Sequence, residues 1–305
     1  MGNIANLTYV VLVSTLRMSV PLILASTGGA FSIRCGVSDL GCEGMMIAGA
    51  FFGMLGSYIT GNPWLGLVTA MLFGAIFSMI HAVMHVTYRV NATISGMCVN
   101  LLGTAITPLL LQVIWGVRGK SAQVAAFSPL NLEWMKKIPA IGRMMAAQNI
   151  IFYITIVLVV LGWMFLFKTT GGLRMRMVSE NPQAASTVGI NVTGYKYFGV
   201  MMSGIFCGLG GAYLSLGQMN MFIDGMTSGR GYIAVVINAF GRFSPLGALA
   251  GSIFFGFFDS LQTVFQGSVI PTQWMMMLPY ILTLAVISVG LRKSRSPAGV
   301  GKYHE

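Results

Sequence analysis

Long, uninterrupted apolar runs recur along the whole 305-residue chain. A membrane-spanning helix needs about 20 consecutive apolar residues, and residues 151–167, IFYITIVLVVLGWMFLF, form such a run. Transmembrane β-strands instead alternate apolar and polar residues over segments of about ten residues. Because the runs here do not alternate, and because a helix satisfies its own backbone hydrogen bonds in lipid, the sequence predicts an all-α, polytopic integral membrane protein.

The composition agrees, with 55% hydrophobic and 8% charged residues, against about 25% charged residues in a soluble domain. The net charge of +11 is explained by basic loops that fix the membrane topology, so we expect no nucleic-acid partner. The four cysteines show no CxxC pairing and are predicted to be small buried residues. Residues 1–16 contain no Lys or Arg, so we expect no cleaved signal peptide and a retained first span.

About nine transmembrane passages are predicted, in two inverted halves of four joined by a connecting passage. They cover residues 7–31, 43–60, 64–88, 91–116, 149–168, 196–217, 229–241, 246–266 and 275–291. Glycines interrupt the short passage 229–241 and the first hairpin, where Gly28, Gly29, Gly36, Gly41 and Gly44 occur. Broken, glycine-rich helices at matching positions of inverted halves are typical of a transport pathway. Close helix packing through small residues is the alternative explanation.

The basic residues predict the topology. The C-terminal tail carries Arg292, Lys293, Arg295 and Lys302, so the positive-inside rule places it in the cytoplasm. Counting back, the loop 169–195 is cytoplasmic, the N-terminus is outside, and 117–148 is an extracytoplasmic loop. That last segment is nevertheless basic, with Arg118, Lys120, Lys136, Lys137 and Arg143 against a single Glu133. Its stretch 129–142, PLNLEWMKKIPAIG, predicts an interfacial helix with Trp134 near the headgroups.

No enzyme signature is complete. GVRGKS (116–121) resembles the end of a phosphate-binding loop, but Ile114 stands where that motif needs glycine. His81 and His85 share a helix face without the further ligands of a metal site, so we expect interfacial histidines and no bound metal. With no HExxH, GxSxG or SxxK motif, the sequence predicts no catalytic residues, and a membrane enzyme is not favoured.

Charged and polar residues inside the apolar runs, or in the glycine-rich first hairpin, are candidates for a translocation pathway, because a charge at membrane depth is costly. The candidates are Arg17, Asp39, Glu43, Asn100, Asp259 and Gln262. They could line a polar path for a hydroxylated or heterocyclic solute. Structural interactions, including an Arg17–Asp259 ion pair, explain them equally well, and the two interpretations stay open.

The polar stretch 179–191, SENPQAASTVGIN, predicts a short capped helix. Asn181 is a favoured N-cap residue, Pro182 suits the first helical position, and Gly189 suits a left-handed C-terminal stop. Glu180 complements the positive end of the helix dipole. Because a helix of about two turns is not stable alone in water, it must dock on the protein's own spans or on a partner.

Three blocks of sequence carry a resemblance to a known family. GLRMRMVSENPQAASTVGIN (172–191), followed by FGVMMSGIFCGLGGAYLS (198–215), resembles the cytoplasmic coupling segment of ABC-importer permeases for branched-chain amino acids, simple sugars and nucleosides. GVSDLGCEGMMIAGAFFG (36–53) is similar to the nucleoside-type signature G-V-x-N-I-G-x-E-G-M-M, and GRGYIAVVINAFGRFSPLGALAGSIFFG (229–256) to the family's late glycine-rich segment. Asp39 departs from the usual Asn, and Arg242, Phe243 and Ser244 replace a smaller turn.

The resemblance implies that residues 1–305 form a single transmembrane permease domain in the plasma membrane. It implies no bound cofactor, since a separate cytoplasmic ATPase uses the ATP. The other implied partners are a second permease subunit, expected to be a related chain, an extracellular substrate-binding (lipo)protein, a small-molecule solute and membrane lipid. The residues implied to couple the permease to the ATPase are Glu180, Asn181, Pro182, Ala184, Ala185, Gly189 and Ile190.

The solute and the energy source have alternatives. The EGMM motif (43–46) and an N-terminus that begins one span later than in ten-span sugar permeases favour nucleosides. Simple sugars are the next expectation and branched-chain amino acids the least favoured. An ion-coupled secondary transporter that uses Asp259 is the alternative mechanism, although acidic residues in the apolar runs are scarce.

Overall fold

The computed structural model describes residues 2–128, 145–265 and 296–301, together with the single positions 277, 281, 284 and 288. Within these residues every regular element is a helix, apart from isolated bridge residues at Lys120, Asn149 and Ile223. The predicted all-α class is therefore confirmed.

Ten α-helices are named in chain order. The first five are α1 (Gly2–Ile33), α2 (Cys42–Thr60), α3 (Pro63–Ala82), α4 (Ala92–Trp115) and α5 (Ile150–Lys168). The next five are α6 (Thr170–Glu180), α7 (Pro182–Thr187), α8 (Val192–Ala212), α9 (Arg230–Phe240) and α10 (Pro245–Phe265). Helices α3 and α8 continue into π-helical turns at Val83–Thr87 and Tyr213–Met219.

Six helices of the described residues are long and apolar enough to cross a membrane. They are α1 from Leu7 onwards, α2, α3 with its π-turn, α4, α5 and α8 with its π-turn, and they correspond to the first six predicted passages. Helix α9 is short and apolar, as its flanking glycines predict. The ninth predicted passage, 275–291, lies outside the described residues except for four helical positions, so the count of nine stays a prediction.

The centre of the bundle is built from α1, α2, α3 and α8, which approach closely at glycines. A side chain at Gly49 of α2 would overlap the backbone of Gly208 in α8, and one at Gly74 of α3 would overlap Gly204. Small residues allow such approaches between membrane helices. Helix α1 is continuous through Gly28 and Gly29, and Gly28 packs closely against α8. The interruption expected there is wrong; these glycines serve packing.

Residues 117–128 fold back along the end of α8 that lies away from α6 and α7. The Ser121 amide donates to the Phe222 carbonyl at 2.9 Å, and the Phe127 amide donates to the Leu216 carbonyl at 3.0 Å. The predicted interfacial helix and most of the basic C-terminal tail lie outside the described residues. That part includes Trp134, Lys136, Lys137, Arg143, Arg292, Lys293, Arg295 and Lys302.

Candidate functional site

Helix α7 has the caps that its sequence predicts. The side-chain Oδ1 of Asn181 accepts a hydrogen bond from the Ala184 amide at 3.1 Å, and Pro182 occupies the first turn. At the other end Gly189 has φ +80°, and the Ile190 amide donates to the Ala185 carbonyl at 3.0 Å. The helix predicted over this stretch is therefore confirmed.

The inner face of α7 docks on the protein itself. Ala185 is fully buried in a cluster with Val178 of α6 and Val192 of α8. Pro182 is also buried. Helix α6 lies in the predicted cytoplasmic loop 169–195, where no helix was predicted before residue 181, and it contributes Val178 to this cluster. Burial of one face is what stabilises a six-residue helix that is too short to persist alone.

The outer face of α7 points away from the bundle. Ala184 and Gly189 are exposed, and Val188 between them is exposed over 70% of its surface. Glu180 and Asn181, at the start of the helix, are exposed as well. The predicted coupling residues thus fall into three groups: Pro182 and Ala185 are buried against the bundle, Ile190 is half-buried, and the others form an open surface.

An arginine joins the end of α1 to the turn between α9 and α10. The Arg34 Nε donates to the Phe243 carbonyl at 2.8 Å, and its guanidinium lies 5.6 Å from the Phe167 ring centroid. Burial, together with the nearby charge of Arg176, lowers the pKa of Arg34, although an arginine stays protonated at neutral pH. Arg242 and Phe243 adopt φ of +54° and +52°, so the unusual turn residues present carbonyl groups to Arg34.

Glu43 lies at the centre of a buried polar network and is 6% exposed. Its Oε1 accepts from the Thr227 hydroxyl at 2.5 Å and from the Gly229 amide at 2.9 Å, and its Oε2 accepts from the Gly231 amide at 2.6 Å. These amides are unpaired donors at the start of α9, and a carboxylate is favourable there because of the helix dipole. Glu43 therefore fixes the first turn of α9 to α2.

Asp39 joins the α1–α2 loop to α8. Its carboxylate accepts from the Gly41 amide at 3.0 Å and from the hydroxyl of Ser203, and the residue is 3% exposed. Asp39 thereby uses both of its oxygens within the protein.

Asn100 of α4 completes the network. Its Oδ1 accepts from the Gly44 amide at 2.8 Å, while its Nδ2 donates to the Leu40 carbonyl at 2.8 Å and to the Tyr232 hydroxyl at 3.1 Å. The structure thus brings three of the predicted pathway residues together, around the α1–α2 loop, and it engages their polar groups in contacts within the chain.

The remaining pathway candidates lie elsewhere. Asp259 forms an ion pair with Arg230 at 3.1 Å, so of the structural alternatives considered for Asp259, the pair with Arg17 is replaced by a pair with Arg230. Arg17 is exposed and lines a polar cavity of about 270 Å³ together with Asn149 and Gln218. Gln262 is half-buried on α10. The sequence reasoning missed Arg230, whose signal was a cation directly after the glycine that precedes α9.

The two histidines are buried inside the protein. His81 Nδ1 lies 2.9 Å from the Ser95 hydroxyl, and His85 Nδ1 lies 2.8 Å from the Val90 carbonyl. In the described part of the chain no group of three or more His, Cys, Asp or Glu side chains is placed to hold a metal ion. Cysteines 35, 42 and 207 are buried as expected, whereas Cys98 is exposed.

Comparison with known proteins shows the family. A family described as branched-chain amino acid transport system / permease component matches residues 11–287. The guanosine ABC transporter permease protein NupQ of Bacillus subtilis (strain 168) is 36% identical, over 98% of this chain and 97% of its own length. The nucleoside ABC transporter permease protein NupC of Lactococcus lactis subsp. cremoris (strain MG1363) is 37% identical, over 98% of each chain.

The fold is similar to that of a solved inward-facing metal-chelate-type ABC transporter, with a TM-score of 0.53 at 14% identity. The match covers 93% of this chain and 86% of the other. The spans, the family match over nearly the whole chain and the similarity to these permeases agree with one another. The chain therefore belongs to the branched-chain amino acid transport system / permease component family and is the membrane permease subunit of an ABC importer, a transport component and not an enzyme.

Proposed function

We propose that the chain imports nucleosides and that a cytoplasmic ATPase drives it through α7. The observation that carries the coupling proposal is the division of α7 into a buried face, with Pro182 and Ala185, and an exposed face around Ala184, Val188 and Gly189. A partner that binds the exposed face moves a helix whose other face is packed on the bundle.

The packing gives that movement a route into the membrane. Helix α7 shares its buried cluster with Val192, the first residue of α8. Helix α8 in turn packs against α1, α2 and α3 over most of its length, and 83% of the residues in its most apolar stretch are buried. Closure of the ATPase, transmitted through α7, would therefore shift α8 against its neighbours and alternate access to the pathway.

The assembly and topology belong to the same proposal. It includes an extracellular substrate-binding lipoprotein and a second permease subunit, which we take to be a related chain. ATP is bound and hydrolysed in the partner, and this chain holds no cofactor. We place 169–195 and the C-terminus in the cytoplasm of a plasma-membrane protein and 117–148 outside. The single domain 1–305 then has nine passages in two inverted halves.

Nucleosides are proposed because NupQ and NupC, by name, are guanosine and nucleoside permeases, and simple sugars are the second candidate. Of the six candidate pathway residues, Arg17 suits solute contact best, since it is exposed beside a polar cavity. Asp39, Glu43 and Asn100 would act indirectly, by setting the position of the α1–α2 loop.

The test of coupling compares two glycines of the same geometry. Gly189 and Gly61 have φ of +80° and +68°, and a side chain added at either meets nothing within 4 Å. Gly61 lies in the α2–α3 turn, at the end of α2 remote from α7. Both substitutions to Trp carry a similar backbone strain, about 1–2 kcal/mol, so only the difference in position separates them.

We expect G189W and A184W to insert normally but to lower solute uptake per ATP hydrolysed in proteoliposomes that contain the whole importer. G61W should leave this ratio unchanged. If G189W and A184W both keep the wild-type ratio, α7 is not the contact. Uptake of labelled guanosine against labelled ribose in the same vesicles tests the proposed solute.

The alternative, ion-coupled transport through Asp259, predicts that uptake depends on Asp259 and on an ion gradient and not on the ATPase. Asp259 pairs with Arg230, which gives its charge a structural partner. We therefore expect D259N to retain ATP-dependent uptake at a reduced level. Loss of uptake in D259N, together with wild-type uptake that follows an ion gradient and continues without the ATPase, would refute the proposed mechanism.

A further inference from the structure

The segment 296–301, here termed the C-terminal strap, lies on the junction between α6 and α7. The Gly299 amide donates to the Ser179 carbonyl at 2.8 Å. The preceding amide, of Ala298, donates to Oε2 of Glu180 at 3.3 Å. The strap therefore contacts the two residues that directly precede the N-cap of α7. Ala298 and Glu180 are 118 positions apart in the sequence.

The fit at Gly299 leaves no room for a side chain. A Cβ there would lie 2.7 Å from the Ser179 carbonyl oxygen and 2.9 Å from Cδ of Pro182. One of these atoms is backbone, and the other belongs to a rigid ring that is buried at the start of α7. A larger residue at 299 must therefore push the strap off the junction.

The strap also reaches the loop that follows α1. The Gly301 amide donates to the Gly36 carbonyl at 3.0 Å, and Gly36, with φ +86°, also lies close to Ser179. The same loop carries Arg34, which holds the α9–α10 turn. The strap thus joins the α6–α7 junction to the loop between α1 and α2.

We propose that the C-terminal strap is a positioning element for coupling, which holds the base of α7 against the α1–α2 loop. This inference rests on the proposed role of α7 and adds a second route for its movement. One route enters α8 through the buried cluster around Ala185, and the other enters α1 and α2 through the strap. Without the strap, α7 binds the ATPase but moves with less effect on the first hairpin.

The experiment uses the whole importer in proteoliposomes and two pairs of variants. G299L displaces the strap, and its control A298S changes an exposed neighbouring side chain while keeping the amide donor. A chain that ends at residue 295 lacks the strap, and its control ends at residue 301. Three quantities are measured for each variant: the permease in the membrane, the ATPase bound to it, and the solute imported per ATP hydrolysed.

We expect G299L and the chain ending at 295 to retain the ATPase and to import about tenfold less solute per ATP, the scale set by the loss of a few backbone hydrogen bonds. Both controls should match the wild type. A retained ATPase separates a positioning role from loss of the docking surface.

Wild-type import per ATP in the chain ending at 295 would overturn the strap proposal, and so would loss of ATPase binding in that chain. The proposed function is judged separately by G189W. If G189W lowers the solute imported per ATP while removal of the strap does not, α7 transmits the movement of the ATPase and the strap is dispensable. If G189W and A184W are both normal, the coupling role of α7 itself fails.

Discussion

Replacing Glu43 by Gln tests whether the buried carboxylate fixes the first turn of α9. The substitution keeps the shape of the side chain but exchanges one acceptor oxygen for an NH₂ donor. Both carboxylate oxygens accept backbone amides, Oε1 from Gly229 at 2.9 Å and Oε2 from Gly231 at 2.6 Å. Whichever way the Gln amide is turned, its NH₂ group faces another donor.

The size of the effect follows from these contacts. A hydrogen bond to a charged group contributes about 1.5–3 kcal/mol, and a buried donor left unsatisfied costs about 1–3 kcal/mol. The carboxylate is 6% exposed, so water cannot easily replace it. We expect E43Q to lower the free energy of unfolding by about 3 kcal/mol, which corresponds to a fall in Tm of about 5 °C for a chain of this length.

The assay is thermal unfolding of the purified permease in detergent, followed with a thiol-reactive fluorophore. Cys35, Cys42 and Cys207 are free and buried, so they report loss of tertiary packing. The control is D224N, the same change at an exposed carboxylate, which should alter stability by less than about 0.5 kcal/mol. If E43Q has the same Tm as D224N and the wild type, the carboxylate does not hold α9, and the reasoning is wrong.

Three further predictions use the same preparations. G49L should prevent the close packing of α2 on α8, since a side chain there overlaps the Gly208 backbone. We expect the free energy of unfolding to fall by about 3 kcal/mol, or the protein to fail to accumulate, as measured by the same melting assay. A Tm equal to that of the wild type would contradict this prediction. R230Q should lower the Tm by removing the ion pair with Asp259. The double variant R230Q/D259N should lower the Tm by less than the sum of the decreases in R230Q and D259N. Additive decreases would refute the pairing. Burial raises the pKa of the Cys35 thiol, so maleimide labelling of Cys35, followed by mass spectrometry, should stay slow in the folded protein when the pH rises from about 7 to about 9. An exposed thiol of ordinary pKa near 8.5 reacts faster over the same range. Rapid labelling of Cys35 would show that the site is open.

Local sequence was enough for the features whose physical cause is local. Apolar runs of sufficient length predict spans because burial in lipid demands them, and the first six predicted passages each meet a helix of this kind. The ends of α7 were predictable for the same reason, since Asn181, Pro182 and Gly189 act within a few residues of their own positions.

Contacts between distant residues were not predictable from one sequence. Glu43 and Gly231 are 188 positions apart, and nothing in the local pattern says that a carboxylate on α2 meets the amides of α9. The same limit explains why the sequence could not decide the partner of Asp259, because which helices touch depends on how glycines such as Gly208 let the backbones approach.

By itself, then, the sequence determined an all-helical membrane permease with a short capped helix between its spans. Only the tertiary structure decided which face of that helix is free. Burial of Ala185 against α6 and α8 leaves Ala184 and Gly189 open, because a helix docks by one side and exposes the other. It also decided that Asp39, Glu43 and Asn100 bond within the protein, since packing brings donors from α8, α9 and α2 to them.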